Sequence, residues 1–296
     1  MMALFRVCTD SGCDLPYEVC MSRGVYPLMM HYTIDGVAYR DTLREADMHV
    51  FFQKMRDGAF PQTSAANIED YLQFWEELFA ENDLPLVHVT LGSGISSTYQ
   101  NGVAARELFL QEHPNAEIHV VDSLGASISY GILTLAAADL RDEGKTAAEA
   151  VAWLERNRLC CNVYYTTGEM KWLVYGGRVS RAAATIARAI NIWPLMTLDE
   201  AGKLYAREKV RGKKQVYARM AEITAATAEA PEFQKLYVCH SDCREDAEQL
   251  AAVLQERCGF LEPSVSYIGS LIGSHTGPGL VVFAFFGQER PPQKKK

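Results

Sequence analysis

The segment from Leu86 to Asp142 constrains the fold more than any other part of the chain. Leu86-Val87-His88-Val89-Thr90 is an apolar, β-branched run. It turns through Leu91-Gly92-Ser93-Gly94-Ile95-Ser96-Ser97 and enters a helical pattern carrying Val103, Ala104, Leu108 and Phe109. The arrangement then repeats. Glu117 to Val121 reads as a strand ending in Asp122-Ser123, and a helical segment over 125–142 follows, rich in small residues (Gly125, Ala126, Ser127, Ser129, Gly131) that suit close packing on a sheet. Strand, helix, strand, helix at this spacing predicts a parallel sheet covered by helices, because parallel neighbours need a crossover connection. Ligands of such sheets gather at the carboxyl ends of the strands, where the polar loops at 9–14, 90–98 and 122–123 fall.

The remaining pattern is α/β throughout. A strand at 4–7 leads into a polar loop, a short helix at 17–23 and a strand at 25–30. Asp35-Gly36 is a hairpin turn signal. A helix is expected at 45–57 through Met48, Phe51, Phe52 and Met55. The hydroxyl-bearing loop Gln62–Asn67 precedes a helix whose apolar face carries Ile68, Leu72, Trp75 and Phe79. Beyond a helix at 146–158 come a strand at 162–167, a break at Gly176-Gly177 with a new helix after it, and a hairpin at 194–206. A helix at 212–229, a strand at 236–240, a helix at 245–257, a strand at 264–268, a loop at 272–279 and a last apolar strand complete the pattern. We therefore expect an N-terminal α/β domain at 1–155, a C-terminal domain at 156–288 with more antiparallel character, and a disordered basic tail at 289–296.

Composition narrows the function. With 48% hydrophobic residues in a 296-residue chain, a sizeable core is available. A net charge of −8, from 29 basic and 37 acidic residues, argues against nucleic acid as a partner. No apolar run approaches the ~20 residues that cross a bilayer, and Arg6, Asp10 and Asp14 interrupt any signal-peptide pattern. The expectation is a cytoplasmic protein with no stable membrane insertion. Its eight scattered cysteines read as free thiols. Cys239-His240 with Cys243 is the nearest thing to a metal cluster, and its spacing is not that of a zinc site, so no metal is expected.

The loop at 91–98 gathers free backbone N–H groups and the positive end of a helix dipole, which suits an anion. Its Ser and Thr hydroxyls fit a carboxylate. Two plainer roles compete: Ser97 with Gln100 matches a capping box, and Ser64 or Asn67 is the N-cap of the helix that follows. A second chemistry is also open. Ser96 as nucleophile, His275 as base and Asp122 as orienter would make a serine hydrolase or acyltransferase, although Gly94-Ile95-Ser96-Ser97-Thr98 lacks the last glycine of a nucleophile elbow. Nucleotide binding has less support, since neither a P-loop nor a dinucleotide fingerprint occurs.

Six short motifs stand in one order: Thr9-Asp10-Ser11 with Asp14-Leu15-Pro16; Thr63-Ser64; Gly94-Ile95-Ser96-Ser97-Thr98-Tyr99-Gln100; Val121-Asp122-Ser123; Gly176-Gly177-Arg178-Val179-Ser180; and Gly273-x-His275-x-Gly277-Pro278-Gly279. Together they resemble the DegV family, the bacterial fatty acid-binding proteins, over about residues 4–287. The resemblance implies a non-enzymatic carrier with two α/β domains and a long-chain fatty acid, such as palmitate, stearate or oleate, buried between them. It implies that Thr63, Ser96 and His275 hold the carboxylate, with Ser64, Ser93, Gly94 and Ser97 in the supporting loops. Arg178 would face a fatty acid kinase that makes an acyl phosphate for phospholipid synthesis. No cofactor is implied. The chain departs from the family's usual Thr-Ser-x-Pro-Ser with Thr63-Ser64-Ala65-Ala66-Asn67. It also has Gly92 where a hydroxyl residue is common, and Ser97 where Gly is common. A carboxylate held by hydroxyls and helix N–H groups would need no formal positive charge beside it.

Overall fold

The structure is a computed structural model that describes residues 3–179 and 191–291. The first half runs β1 (Arg6–Asp10), α1 (Tyr17–Ser22), β2 (Val25–Leu28), β3 (His31–Ile34), β4 (Val37–Arg40), α2 (Glu45–Arg56), β5 (Gln62–Thr63), α3 (Ile68–Phe79), β6 (Leu86–Thr90), α4 (Thr98–Glu112), β7 (Ile118–Asp122), α5 (Ile128–Asp142) and α6 (Ala147–Asn157). Strands β2-β1-β6-β7 form a parallel sheet in that order. Strand β1 extends through Asp10, past the expected end at Val7, because Cys8 and Thr9 pair on both sides, with β2 and β6. The Asp35-Gly36 turn forms as expected, with φ of 51° and 78°, and joins β3 to β4. Strand β5 pairs on the other edge of β3, making a three-stranded antiparallel sheet.

The second half runs β8 (Cys161–Thr167), α7 (Lys171–Tyr175), β9 (Ile192–Leu198), β10 (Leu204–Arg211), α8 (Lys213–Thr227), β11 (Lys235–His240), α9 (Arg244–Cys258), β12 (Leu261–Tyr267), α10 (Ser270–Thr276) and β13 (Leu280–Phe286). Its sheet has the order β10-β9-β8-β13-β11-β12 and is antiparallel except for the β11–β12 pair. The helix expected after Gly176-Gly177 lies outside the described residues.

Two expectations need correction. The segment at 272–279, expected as a loop, is helical through Thr276. Its glycines lower intrinsic helix propensity, but Gly273 is packed so closely on Phe51 and Phe52 that a Cβ there would lie 2.9 Å from each ring. The basic tail does not begin at 289. Arg290 is buried, its Nη2 donates to Leu124 O at 3.0 Å, and its backbone N–H donates to Leu159 O at 3.0 Å. Residues 292–296 lie outside the described residues.

Helix α5 is the keystone. It packs on β1 of the parallel sheet and on β8 and β13 of the mixed sheet, so Ile128 to Leu135 are buried all round. A helix apolar on every side belongs between two layers, and each of its large side chains contributes roughly 1.5–3 kcal/mol by leaving water. Val87, Val121, Leu133, Val163 and Val282 consequently belong to one continuous core. The aromatics Trp75 and Phe79 pack around Phe109 behind the parallel sheet. Phe283 and Phe285 pack with Tyr164 on the far face of the mixed sheet.

Candidate functional site

The loop after β6 is tied down by carboxylates of its own sheet. Leu91 N donates to Asp10 Oδ2 at 2.8 Å, and Ser93 N donates to Asp122 Oδ1 at 3.0 Å. Asp10 also accepts from Gly12 N (3.2 Å) and from the Tyr130 hydroxyl (2.5 Å). Ser123 Oγ accepts from Gly125 N at 3.0 Å. Asp10, Asp122 and Ser123 therefore hold the sheet end together. The departure at Gly92 has a steric cause: its N–H donates to Gly125 O at 2.9 Å, and a Cβ would sit 2.7 Å from Gly125 N. Gly94 packs on the β9–β10 turn, where a Cβ would meet Ala201 O at 2.2 Å.

The capping box expected of Ser97 does not form. Ser97 is exposed and makes no side-chain cap bond. Ser96 Oγ instead accepts from Thr98 N at 3.2 Å and lies 2.8 Å from Thr98 Oγ1. At φ −84°, position 97 needs no glycine. The second loop resolves the other way. Asn67 caps α3 through a reciprocal box with Asp70, at 3.0 and 2.8 Å, so Ser64 is not needed for capping. Asn101 Nδ2 donates to Ala66 O at 2.7 Å and ties the first turn of α4 to this loop.

His275 comes to the same place from the end of α10. Its Nε2 is 2.7 Å from Thr63 Oγ1. Burial, with the Arg178 guanidinium nearby, holds the imidazole down at about 4, so it is neutral at pH 7. Its Nδ1 has no hydrogen-bond partner among the described residues. Two glycines make this approach possible. A Cβ at Gly176 would lie 2.4 Å from His275 Nδ1, and one at Gly277 (φ 66°) would lie 2.0 Å from the Trp172 ring. Gly176 of the double-glycine motif thus makes room for the His275 ring, and Gly277 of the histidine motif makes room for Trp172 on α7.

These residues surround one cavity, concave and walled mainly by apolar side chains, as small-ligand sites are. Thr63, Ser64, Ser96, Arg178 and His275 all line it. Ser93, Gly94 and Ser97 do not. The walls are apolar: Leu91 and Ile95 from the loop after β6, and Val163, Leu198, Leu204 and Val282 from the mixed sheet. Contrary to the expectation of a carboxylate end free of positive charge, Arg178, though exposed, also lines the cavity. Its Nη1 donates to Gly176 O at 2.6 Å, next to the His275 ring. Ser127 lines the cavity too and was not anticipated as a site residue. It occupies a strained backbone conformation (φ 56°, ψ −145°) and donates its hydroxyl to the Asp14 carboxylate, and only the run of small residues around it marks it in the sequence.

The hydrolase triad is not assembled. Ser96 Oγ turns to Thr98, His275 Nε2 to Thr63, and Asp122 Oδ1 accepts from the amides of Ser93 and Leu124. A nucleophile, base and orienter in hydrogen-bond sequence are what that chemistry requires. The thiols of Cys239 and Cys243 are engaged separately: Cys239 Sγ lies 3.4 Å from Ser266 Oγ, and Cys243 Sγ donates to Leu280 O at 3.3 Å. Among the described residues no helix is long and apolar enough to cross a membrane.

Comparison with known proteins agrees over the whole length. Residues 4–288 match a family described as "Uncharacterised protein, DegV family". A DegV domain-containing protein of Clostridium perfringens is 32% identical over 292 residues, 98% of this chain and 100% of the relative. The structure of a DegV family protein from Thermus thermophilus, reported for its fatty acid binding, is 30% identical, with a TM-score of 0.84 over 97% of this chain and 100% of that one. A DegV family protein from Eubacterium eligens, loaded with heptadecanoic acid, shares the fold at 23% identity, with a TM-score of 0.84 over 96% and 100% of the two chains. On this evidence of sequence and fold together, the chain belongs to the DegV family.

Proposed function

We propose that this protein is a carrier that holds a long-chain fatty acid in the cavity and presents its carboxylate to a fatty acid kinase, which forms the acyl phosphate for phospholipid synthesis. One observation carries the reading. A single cavity joins apolar walls from both halves of the chain to a polar group in which Thr63 and His275 are 2.7 Å apart. Each methylene moved into such walls contributes ~0.8 kcal/mol, so a dozen are worth on the order of 10 kcal/mol before the costs of association. The carboxylate loses hydration and needs donors in return. In the neutral tautomer that carries its proton on Nε2, His275 donates to Thr63 Oγ1 and leaves the Thr63 proton for the carboxylate. Ser96 adds a second hydroxyl, and Arg178 supplies a cation at the exposed rim, where it also meets the kinase. Ser64 borders the head group, while Ser93, Gly94 and Ser97 only shape the loop that carries Ser96. On this reading the two domains, divided near residue 155, form the two walls, and the protein works in the cytoplasm.

Mass spectrometry of the purified protein, native and then after organic extraction, tests the carrier role. Release of one long-chain fatty acid per chain is expected. If none is released, and neither oleate nor palmitate binds when added, the proposal fails. The kinase step is tested separately by ATP-dependent hydroxamate formation when the loaded protein is mixed with a fatty acid kinase. The same hydroxamate yield from free fatty acid alone would remove presentation from the role.

A further inference from the structure

Helix α10 carries His275 but cannot place it unaided. Its seven residues (Ser270–Thr276) fall well short of the ~12–15 at which an isolated helix becomes marginally stable. Gly269 at its N-cap has no side chain to close the first turn. The caps come from the other half of the chain. Gly269 N donates to Asp14 Oδ1 at 2.8 Å. Ser270 donates to Asp41 Oδ1 through its backbone N–H (3.3 Å) and its hydroxyl (2.8 Å), and Leu271 N donates to Asp41 Oδ2 at 3.4 Å. Both carboxylates are 1% exposed. Asp41 is itself held by its N–H bond to Met30 O at 2.9 Å. Ser11, Tyr32 and Ser270 face it, and the carboxylates of Asp10 and Asp14 lie close by.

We infer that Asp41, supported by Asp14, is a positioning residue for the head-group site: by capping α10 across the two halves it sets His275 against Thr63. This deepens the fatty acid reading and, for its effect on affinity, rests on it. The geometry transmits the cap directly. His275 lies five residues beyond Ser270, about 7.5 Å along the axis. Gly273 sits so close to Phe51 and Phe52 that those rings fix how far α10 stands off α2, leaving the caps to fix its position along its own axis. A displacement of about 1 Å directed away from Thr63 would take the 2.7 Å contact between His275 and Thr63 beyond hydrogen-bonding range. The hydrogen bonds of Asp41 go to Ser270, Leu271 and Met30 and not to His275 or Thr63, so its effect is exerted through the helix.

The test uses the full-length, delipidated protein with isotope-labelled histidine, comparing wild type, Asp41→Ala and Asp41→Asn by NMR pH titration and by oleate binding. In wild type, burial is expected to hold the His275 midpoint at about 4 and that of His88 at about 3. His88 lies in the core behind the parallel sheet, so it reports general loosening. In Asp41→Ala the His275 midpoint rises toward the ~6.5 of a hydrated imidazole while His88 stays put, and oleate binds at least ten times more weakly. Asp41→Asn keeps one acceptor oxygen, and both effects are smaller but present. An unchanged His275 midpoint in either variant overturns the inference, and so does a parallel rise at His88. If Asp41→Ala does not fold, the Asp41→Asn titration decides. A wild type that binds no fatty acid would sink the carrier reading, yet the ligand-free titration would still decide the positioning role.

Discussion

At the scale of single residues, a neutral histidine beside a threonine is the unit on which the head-group site depends. His275 stays unprotonated because burial and Arg178 both disfavour its cation. Thr63→Val keeps the side-chain shape and removes the hydroxyl. We expect it to weaken fatty acid binding roughly ten- to a hundredfold, since a hydrogen bond to a charged group is worth ~1.5–3 kcal/mol. Competition against a fluorescent fatty acid measures this, and unchanged affinity would take Thr63 out of the site. His88 offers a cleaner view of burial. It is fully buried, accepts from Trp75 Nε1 at 3.2 Å, and is held down at about 3. The unfolded imidazole takes its proton near pH 6.5 and the folded one resists until about 3, so the stability due to neutral His88 is complete above pH 6.5 and is lost as pH falls toward 3. His88→Gln removes that dependence. The stability gap between wild type and variant should shift in the variant's favour by about 2 kcal/mol from pH 7 to pH 5, at 1.36 kcal/mol per pH unit below 6.5. Urea unfolding at the two pH values reads it, and a pH-independent gap would mean that His88 takes up its proton at the same pH folded as unfolded.

At the scale of elements, α5 shows how a plain run of small residues becomes the centre of the molecule. Gly131 faces Cys13 so closely that a Cβ would stand 2.5 Å from its carbonyl oxygen. A backbone atom cannot swing aside as a side chain can. Gly131→Ala should therefore cost about 1–3 kcal/mol as overpacking, although alanine is the better helix former by ~1 kcal/mol. Chemical denaturation distinguishes the outcomes, because a stabilised variant would mean that α5 can move off the 3-10 turn at Ser11–Cys13. The elements read most easily from the sequence were those that carry their own signals: the Asp35-Gly36 turn, the strand–helix repeats after Leu86, and the amphipathic pattern of α3. Helix α10 was missed because its start signal is Asp41, far away in sequence.

At the scale of the whole molecule, the cavity is walled by both halves of the chain, with Leu91 and Ile95 on one side and Val163, Leu198 and Leu204 of the mixed sheet on the other. Val282, on β13 and paired with Tyr165, belongs to its wall. Val282→Trp should fill the space that an acyl chain would occupy. Oleate at a hundred times its dissociation constant stabilises a binding protein by ~2.7 kcal/mol, and thermal unfolding with and without oleate should show that gain for wild type and none for the variant. Equal stabilisation of both would place the chain elsewhere.

By itself, the sequence determined the α/β class, the parallel arrangement of β6 and β7, and the location of the polar loops at strand ends. These follow from short-range periodicity and from the length of the crossovers, while the structure added β1 and β2 to that sheet. It also marked Thr63, Ser96, Arg178 and His275 as residues of interest, through short motifs whose order is legible without any coordinates. Only the tertiary structure decided that those four line one cavity, that Ser93, Gly94 and Ser97 stay outside it, that Asp122 serves the backbone rather than His275, and that Arg178 brings a positive charge to the cavity wall. The reason is physical. A hydrogen bond such as Thr63 to His275 spans 212 residues of chain, and no local pattern records which distant side chains burial will bring within 3 Å of each other.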